Sequence, residues 1–164
     1  MKKTWKLIAL AIVVLVIAWV LWANSALEVN TVTLQEVNLP EAFDGFSIAH
    51  LSDFHSAANM TKSVVEALKA AQPDMICITG DLVDSRSSSV EAALRLTEDA
   101  VAIAPCYYIT GNHESRLSTE LFQSLLSGLQ EQGVIVLADE QILLEKNGAQ
   151  IAVAGHFWGD TDEI

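Results

Sequence analysis

Three short motifs hold most of the side chains in this sequence that could do chemistry: Asp53-Phe54-His55, Gly80-Asp81-Leu82-Val83-Asp84 and Gly111-Asn112-His113-Glu114. Each follows a short apolar run. Asp53 and Asp81 are 28 residues apart, and Asp81 and Asn112 are 31 apart. About thirty residues is the length of one strand–helix–strand unit. That spacing delivers all three motifs to one edge of a parallel sheet, the edge at which open α/β sheets bind ligands. Carboxylate, amide and imidazole groups gathered there can hold divalent metal ions, and the chemistry they suggest is metal-dependent hydrolysis.

The residues divide this work between them. Asp53 and His55 are separated by one residue, so an extended segment points both to the same side. They offer one ion a carboxylate and an imidazole, a pair suited to Mn, Fe or Zn more than to Mg or Ca. Asp81 follows Gly80, which lets the backbone turn sharply as it leaves a strand, and its carboxylate can bridge two ions. Asn112 brings a neutral amide oxygen to the second ion. His113 is then left to act on substrate, with Asp84 placed to orient it through its second ring nitrogen. Two divalent ions about 3.5–4 Å apart would activate a water and neutralise a phosphate during in-line displacement. The expected substrate is therefore a phosphoester, with His113 stabilising a phosphoryl oxygen or protonating the leaving group.

Other polar side chains carry plainer expectations. His50, on a strand expected to be buried, reads as a packed or hydrogen-bonded core residue, Arg86 as part of a solvated Ser-rich loop, and Glu114 as support for its own loop. Phe157 and Trp158 either line a substrate groove or cover the core.

The elements that must position the motifs follow from periodicity. Leu27 to Val37 alternates and reads as a first strand, and Phe46 to Leu51 as the strand that feeds Asp53. Met60 to Ala71 has a helical apolar period and stops before Pro73. Met75 to Thr79 is a continuous apolar run, as expected of a strand buried on both faces. A helix over Val90 to Ala104, a strand over Cys106 to Thr110 and a helix over Arg116 to Gln130 come next. Val134 to Ala138, Gln141 to Lys146 and Gln150 to Ala154 read as strands, the last two joined by an Asn147-Gly148 hairpin turn. The order is that of an α/β domain.

Asp-x-His, then Gly-Asp-x-x-Asp, then Gly-Asn-His-Glu, each after a strand, resembles the calcineurin-like metallophosphoesterases over about Ser47 to Ala154. The N-terminal apolar segment and the Gly-Asp-Leu-Val-Asp form look like the exported, membrane-associated phosphodiesterase branch. The resemblance implies the N-terminal part of a four-layer α/β/β/α sandwich. It also implies two divalent metal ions, with Asp53 and His55 on the first, Asp81 bridging and Asn112 on the second. His113 would be the catalytic histidine and Asp84 its partner. The family pattern continues with a lone histidine and a Gly-His-x-His pair. Here Gly155-His156-Phe157-Trp158 supplies only the first half, with Trp158 where the second histidine would stand. The expectation is that residues 27–164 are an incomplete metallophosphoesterase domain. The rival reading is a membrane-anchored, non-catalytic metal-binding or interaction domain.

Residues 1–26 read as a membrane anchor or signal segment. Three lysines lie between Met1 and Lys6, and the 17 residues from Leu7 to Ala23 contain no charge, Gly or Pro. A single-pass anchor would leave the domain outside the cell membrane by the positive-inside rule. The competing reading is a signal peptide cut near Ala23-Asn24-Ser25. Lipid or cell-envelope phosphoesters are then natural substrates. Past the three lysines, 6 basic side chains face 21 acidic ones, a formal −15, so no nucleic-acid partner is expected. Cys77 and Cys106 fall in predicted buried strands and read as free thiols rather than a disulfide.

Overall fold

The computed structural model describes residues 2–23 and 27–158. Asn24 and Ser25 of the expected cleavage site lie outside them, as do residues 159–164. The chain divides into two compact units, Met1–Val32 and Thr33–Ile164.

The first unit is built on one helix, α1 (Lys2–Ala23). Its apolar side chains from Leu7 to Val20 are exposed. Among the described residues no helix is long and apolar enough to cross a membrane, so the spanning role expected of this segment is not supported. The strand expected over Leu27 to Val37 does not form either. Its alternating pattern finds no partner strand, and Val32, Leu34 and Val37 are left 76 %, 80 % and 99 % exposed. Alternation makes a strand only where one face can be covered.

The second unit contains strands β1 (Ile48–Leu51), β2 (Met75–Thr79), β3 (Cys106–Ile109) and β4 (Ile135–Val136), which form one parallel sheet in the order β1-β2-β3-β4. Helices α2 (Thr61–Ala71), α3 (Glu91–Val101) and α4 (Thr119–Glu131) supply the crossovers. Each helix is amphipathic. Val64, Val65 and Leu68 of α2, Ala93, Leu96 and Ala100 of α3, and Leu125 and Leu129 of α4 pack against Ile76, Ile78 and Tyr108. Full burial of one such leucine is worth about 1.5–3 kcal/mol. The helix starts shift slightly from expectation. Ser118 caps α4 by accepting from the Leu121 amide, and Arg116 belongs to a short 3-10 turn, Glu114–Arg116.

The other face of the sheet meets a hairpin, β5 (Glu140–Lys146) and β6 (Ala149–Gly155), whose turn falls at Asn147-Gly148 as expected. Met75, Cys77, Tyr107 and Ile109 pack there with Ile142, Leu144 and Val153. Helices, parallel sheet and hairpin make three layers among the described residues. The hairpin leaves the edge strand β1 half covered, with Ile48 and His50 exposed. His50 is hydrogen-bonded, with Nε2 2.6 Å from Thr79 Oγ1, but it is exposed on this edge strand rather than part of the core as expected. Cys77 and Cys106 are free thiols, and burial pushes the Cys106 thiol up to about 12.

A candidate metal centre at the strand ends

The three motifs meet beyond the carboxyl ends of β1, β2 and β3. Strand pairing alone brings them close, since Leu51 is opposite Ile78 and Thr79 is opposite Ile109. Past the ladder, the first loop stays bonded to the second: the Asp53, His55 and Ser56 amides donate to the carbonyls of Gly80, Asp81 and Leu82. This requires a bent backbone. Asp53, His55, Ser56 and Asp81 all have positive φ, between 48° and 58°. The first motif is therefore not extended, and Asp53 and His55 do not share a side by strand alternation. They approach through the turn instead, with His55 Nε2 3.5 Å from Asp53 Oδ1.

Two glycines let the second and third loops touch. A Cβ on Gly80, whose φ is +89°, would lie 2.4 Å from Gly111 Cα, and one on Gly111 would lie 2.3 Å from Asp81 Oδ1. Real Cβ contacts do not come so close, so both positions need glycine.

Glu114 knits these loops from beneath. It is 1 % exposed. Its Oε2 accepts from the amides of Asp81 and Gly111, both at 2.8 Å, and its Oε1 from the Val83 amide at 2.9 Å. A buried carboxylate is costly unless it is hydrogen-bonded, and three backbone donors meet that condition. Glu114 supports the loop, as expected, and extends that support to the neighbouring loop. Above it, Asp81 Oδ1 accepts from the His113 amide at 2.8 Å, which leaves the other oxygen for the site. The Tyr108 hydroxyl is buried nearby. Burial first, then the charges of Glu114 and Asp81, push its pKa far up.

One ligand atom from each of His55, Asp81 and His113 lies within 4.8 Å of the others. The two imidazole rings meet edge to face with centroids 4.4 Å apart. His55 Nδ1 is buried without a hydrogen-bond partner. An orphaned ring nitrogen beside a half-satisfied carboxylate is the donor chemistry of a Mn, Fe or Zn site, so the residues fit a divalent ion. Asp53 lies at the rim, its side chain 65 % exposed, bonded to the Ser52 hydroxyl as well as facing His55. Asn112 is half-buried and lines a cavity of about 260 Å³ together with Asp81, Ile109 and Trp158.

Asp84 departs from expectation. Its carboxylate takes Arg86 in a bidentate pair, Nε to Oδ1 at 3.1 Å and Nη2 to Oδ2 at 3.0 Å, and also accepts from the Arg86 amide. Those bonds hold the Asp84 carboxyl well below the usual carboxylate range. His113 Nδ1 accepts instead from the Ser85 amide at 3.0 Å. A backbone amide carries no side-chain signature, so Ser85 could not have been singled out in the sequence. His156 faces Asp139 rather than the motif histidines, and Phe157 is buried while Trp158 is exposed.

Comparison with known proteins agrees with this geometry. A sequence profile of the calcineurin-like phosphoesterase family (Metallophos) matches residues 46–148. The uncharacterized metallophosphoesterase YkoQ of Bacillus subtilis is 31 % identical over 133 residues, 78 % of this chain and 49 % of that protein. A bovine transmembrane protein with a metallophosphoesterase domain is 30 % identical over 113 residues, 65 % of this chain and 26 % of that protein. The chain thus spans about half or less of the length of these relatives. In fold, it is similar to a phosphopantetheinyl hydrolase (PptH) from Mycobacterium tuberculosis, with a TM-score of 0.51 and 18 % identity over 68 % of this chain and 42 % of that one. With a profile covering most of the sequence and the motif loops gathered at one edge of its parallel sheet, the chain belongs to the calcineurin-like phosphoesterase family.

Proposed function

We propose that this chain carries the amino-terminal half of a phosphoesterase site that works with two divalent ions. The observation that carries the reading is the convergence of His55, Asp81 and His113, with His55 Nδ1 buried and unpartnered. Asp53, His55, Asp81 and Asn112 would hold the metal. Divalent ions bound there supply positive charge against the phosphoryl oxygens and make a water more acidic.

His113 has a different role. An amide N–H always donates, so the Ser85 bond makes Nδ1 an acceptor and places the proton of the neutral ring on Nε2. A protonated nitrogen cannot ligate a cation. His113 therefore stands as a hydrogen-bond donor, through its neutral Nε2–H, to a phosphoryl oxygen, close to the metal ligands without being one. Asp81, fixed by its own amide bond to Glu114 and by the His113 amide, keeps the two in register.

The substrate is a phosphomonoester or phosphodiester. Placement at the outer face of a cell membrane belongs to the same proposal. Partitioning of the full chain with membranes after carbonate extraction supports it, and release into the wash removes it.

The central test loads the full chain with Mn²⁺ and follows hydrolysis of an aryl phosphomonoester and a bis-aryl phosphodiester, with calorimetry for metal stoichiometry. Asp81→Asn should lower kcat/KM by at least about 100-fold while circular dichroism stays unchanged. Undiminished activity in that variant would refute the role of Asp81. Metal binding without turnover in the wild type would favour the non-catalytic reading.

A further inference from the structure

The cavity beside Asp81 and Asn112 is lined by further polar residues, His156 among them, and by the apolar side chains of Ile109, Phe157 and Trp158. The two aromatic neighbours are used differently. Phe157 is 2 % exposed and belongs to the core, whereas Trp158 is 65 % exposed. Among the described residues of the second unit, Trp158 is the single large aromatic side chain left open to solvent. Its placement is fixed by main-chain bonds rather than by burial of its ring. The Trp158 amide donates to Thr110 Oγ1 at 3.0 Å, and the Phe157 amide to Asp139 Oδ1 at 3.3 Å. Thr110 immediately precedes Gly111-Asn112, so the segment bearing the indole is tied to the strand end that carries the third motif.

We propose that Trp158, with Ile109 beside it, forms the wall that receives the leaving group of the phosphoester, and that this group carries a flat aromatic ring. The inference rests on the phosphoesterase reading and narrows its substrate class. An indole offers a broad apolar face on which a second ring can stack offset or edge-on. The cavity volume also suits a compact ring. An apolar cavity of about 150 Å³ already holds a benzene molecule. The roughly 260 Å³ here can take a ring with a phosphoryl group beside it. An extended acyl chain would call for a longer groove.

Calorimetric titration of the Mn²⁺-loaded full chain with methyl-, cyclohexyl- and phenylphosphonate tests the wall without any turnover. In the wild type, phenylphosphonate should bind about 5–10-fold more tightly than methylphosphonate, with cyclohexylphosphonate in between. Trp158→Ala should reduce that preference to less than about 2-fold, and Trp158→Phe should keep most of it. The Phe variant also guards against a misfolded Ala variant. Equal binding of all three ligands, or a phenyl preference that survives Trp158→Ala, overturns the wall and leaves the phosphoesterase reading intact. Cyclohexyl binding as tight as phenyl binding overturns the aromatic requirement. If no phosphonate binds the wild type, the phosphoesterase reading falls and this inference falls with it.

Discussion

The two ends of the parallel sheet are each tied by one carboxylate, and the ties differ in kind. At the carboxyl end, Glu114 is buried and takes three backbone amides from the loops after β2 and β3. At the amino end, Asp74 stands just before β2. It accepts from the Ser47 amide at 2.7 Å and the Ser47 hydroxyl at 3.1 Å, and faces Lys146 of the hairpin at 3.8 Å. Its side chain is 38 % exposed, so water competes for every one of these contacts. Lys146 also lies over the Phe46 ring, 5.1 Å from its centroid. The amino end is thus a solvated clasp, and the carboxyl end a dry one. A dry clasp holds loop geometry fixed, which a site needs and a sheet start does not.

The sharpest way to break this contrast is to remove each carboxylate. Glu114→Ala leaves the buried Asp81 and Val83 amides and the half-buried Gly111 amide without their acceptor, and should cost roughly 3–5 kcal/mol of stability in urea unfolding. A cost under 1 kcal/mol would mean that water already serves those amides. Because that loss is a large share of a typical domain's stability, metal binding should fail together with the fold. Asp74→Asn removes an exposed tie and should cost less than about 1 kcal/mol at neutral pH.

Acid titration sharpens the comparison further. The Ser47 amide chiefly, with help from the Ser47 hydroxyl and Lys146, lowers the Asp74 pKa in the folded chain. A carboxyl whose folded pKa is depressed stabilises the fold above its unfolded value and loses that stabilisation as pH falls through the folded one. The stability gap between wild type and Asp74→Asn should therefore be full above about pH 4 and close progressively below it. A gap that stays constant down to acid pH would show that the bonds to Ser47 do not depend on the charge.

The sequence made the positions of the site legible better than its bonding. Continuous apolar runs identified β2 and β3, and the thirty-residue spacing brought the motifs to one edge. The hairpin was legible from its two strand segments and the Asn147-Gly148 turn between them. Leu27 to Val37 misled because alternation says which face a strand would bury, not whether anything covers it. The Asp53–His55 segment misled for a local reason: left-handed backbone at Asp53, His55 and Ser56 serves hydrogen bonds to the neighbouring loop, and residue type does not announce it. The pairing of Asp84 with Arg86 shows a similar limit. Two residues of separation let the guanidinium reach a carboxylate that a motif reading assigns to His113.

Glu114 lies 33 residues beyond the Asp81 amide that it accepts from. At a synthesis rate of about 5–20 residues per second, the loop after β2 leaves the ribosome roughly two to seven seconds before its partner is made. In that interval its amides can bond only to water or to whatever holds the nascent chain. The second and third motifs are thus completed late and together, by a residue that sits at the close of the third.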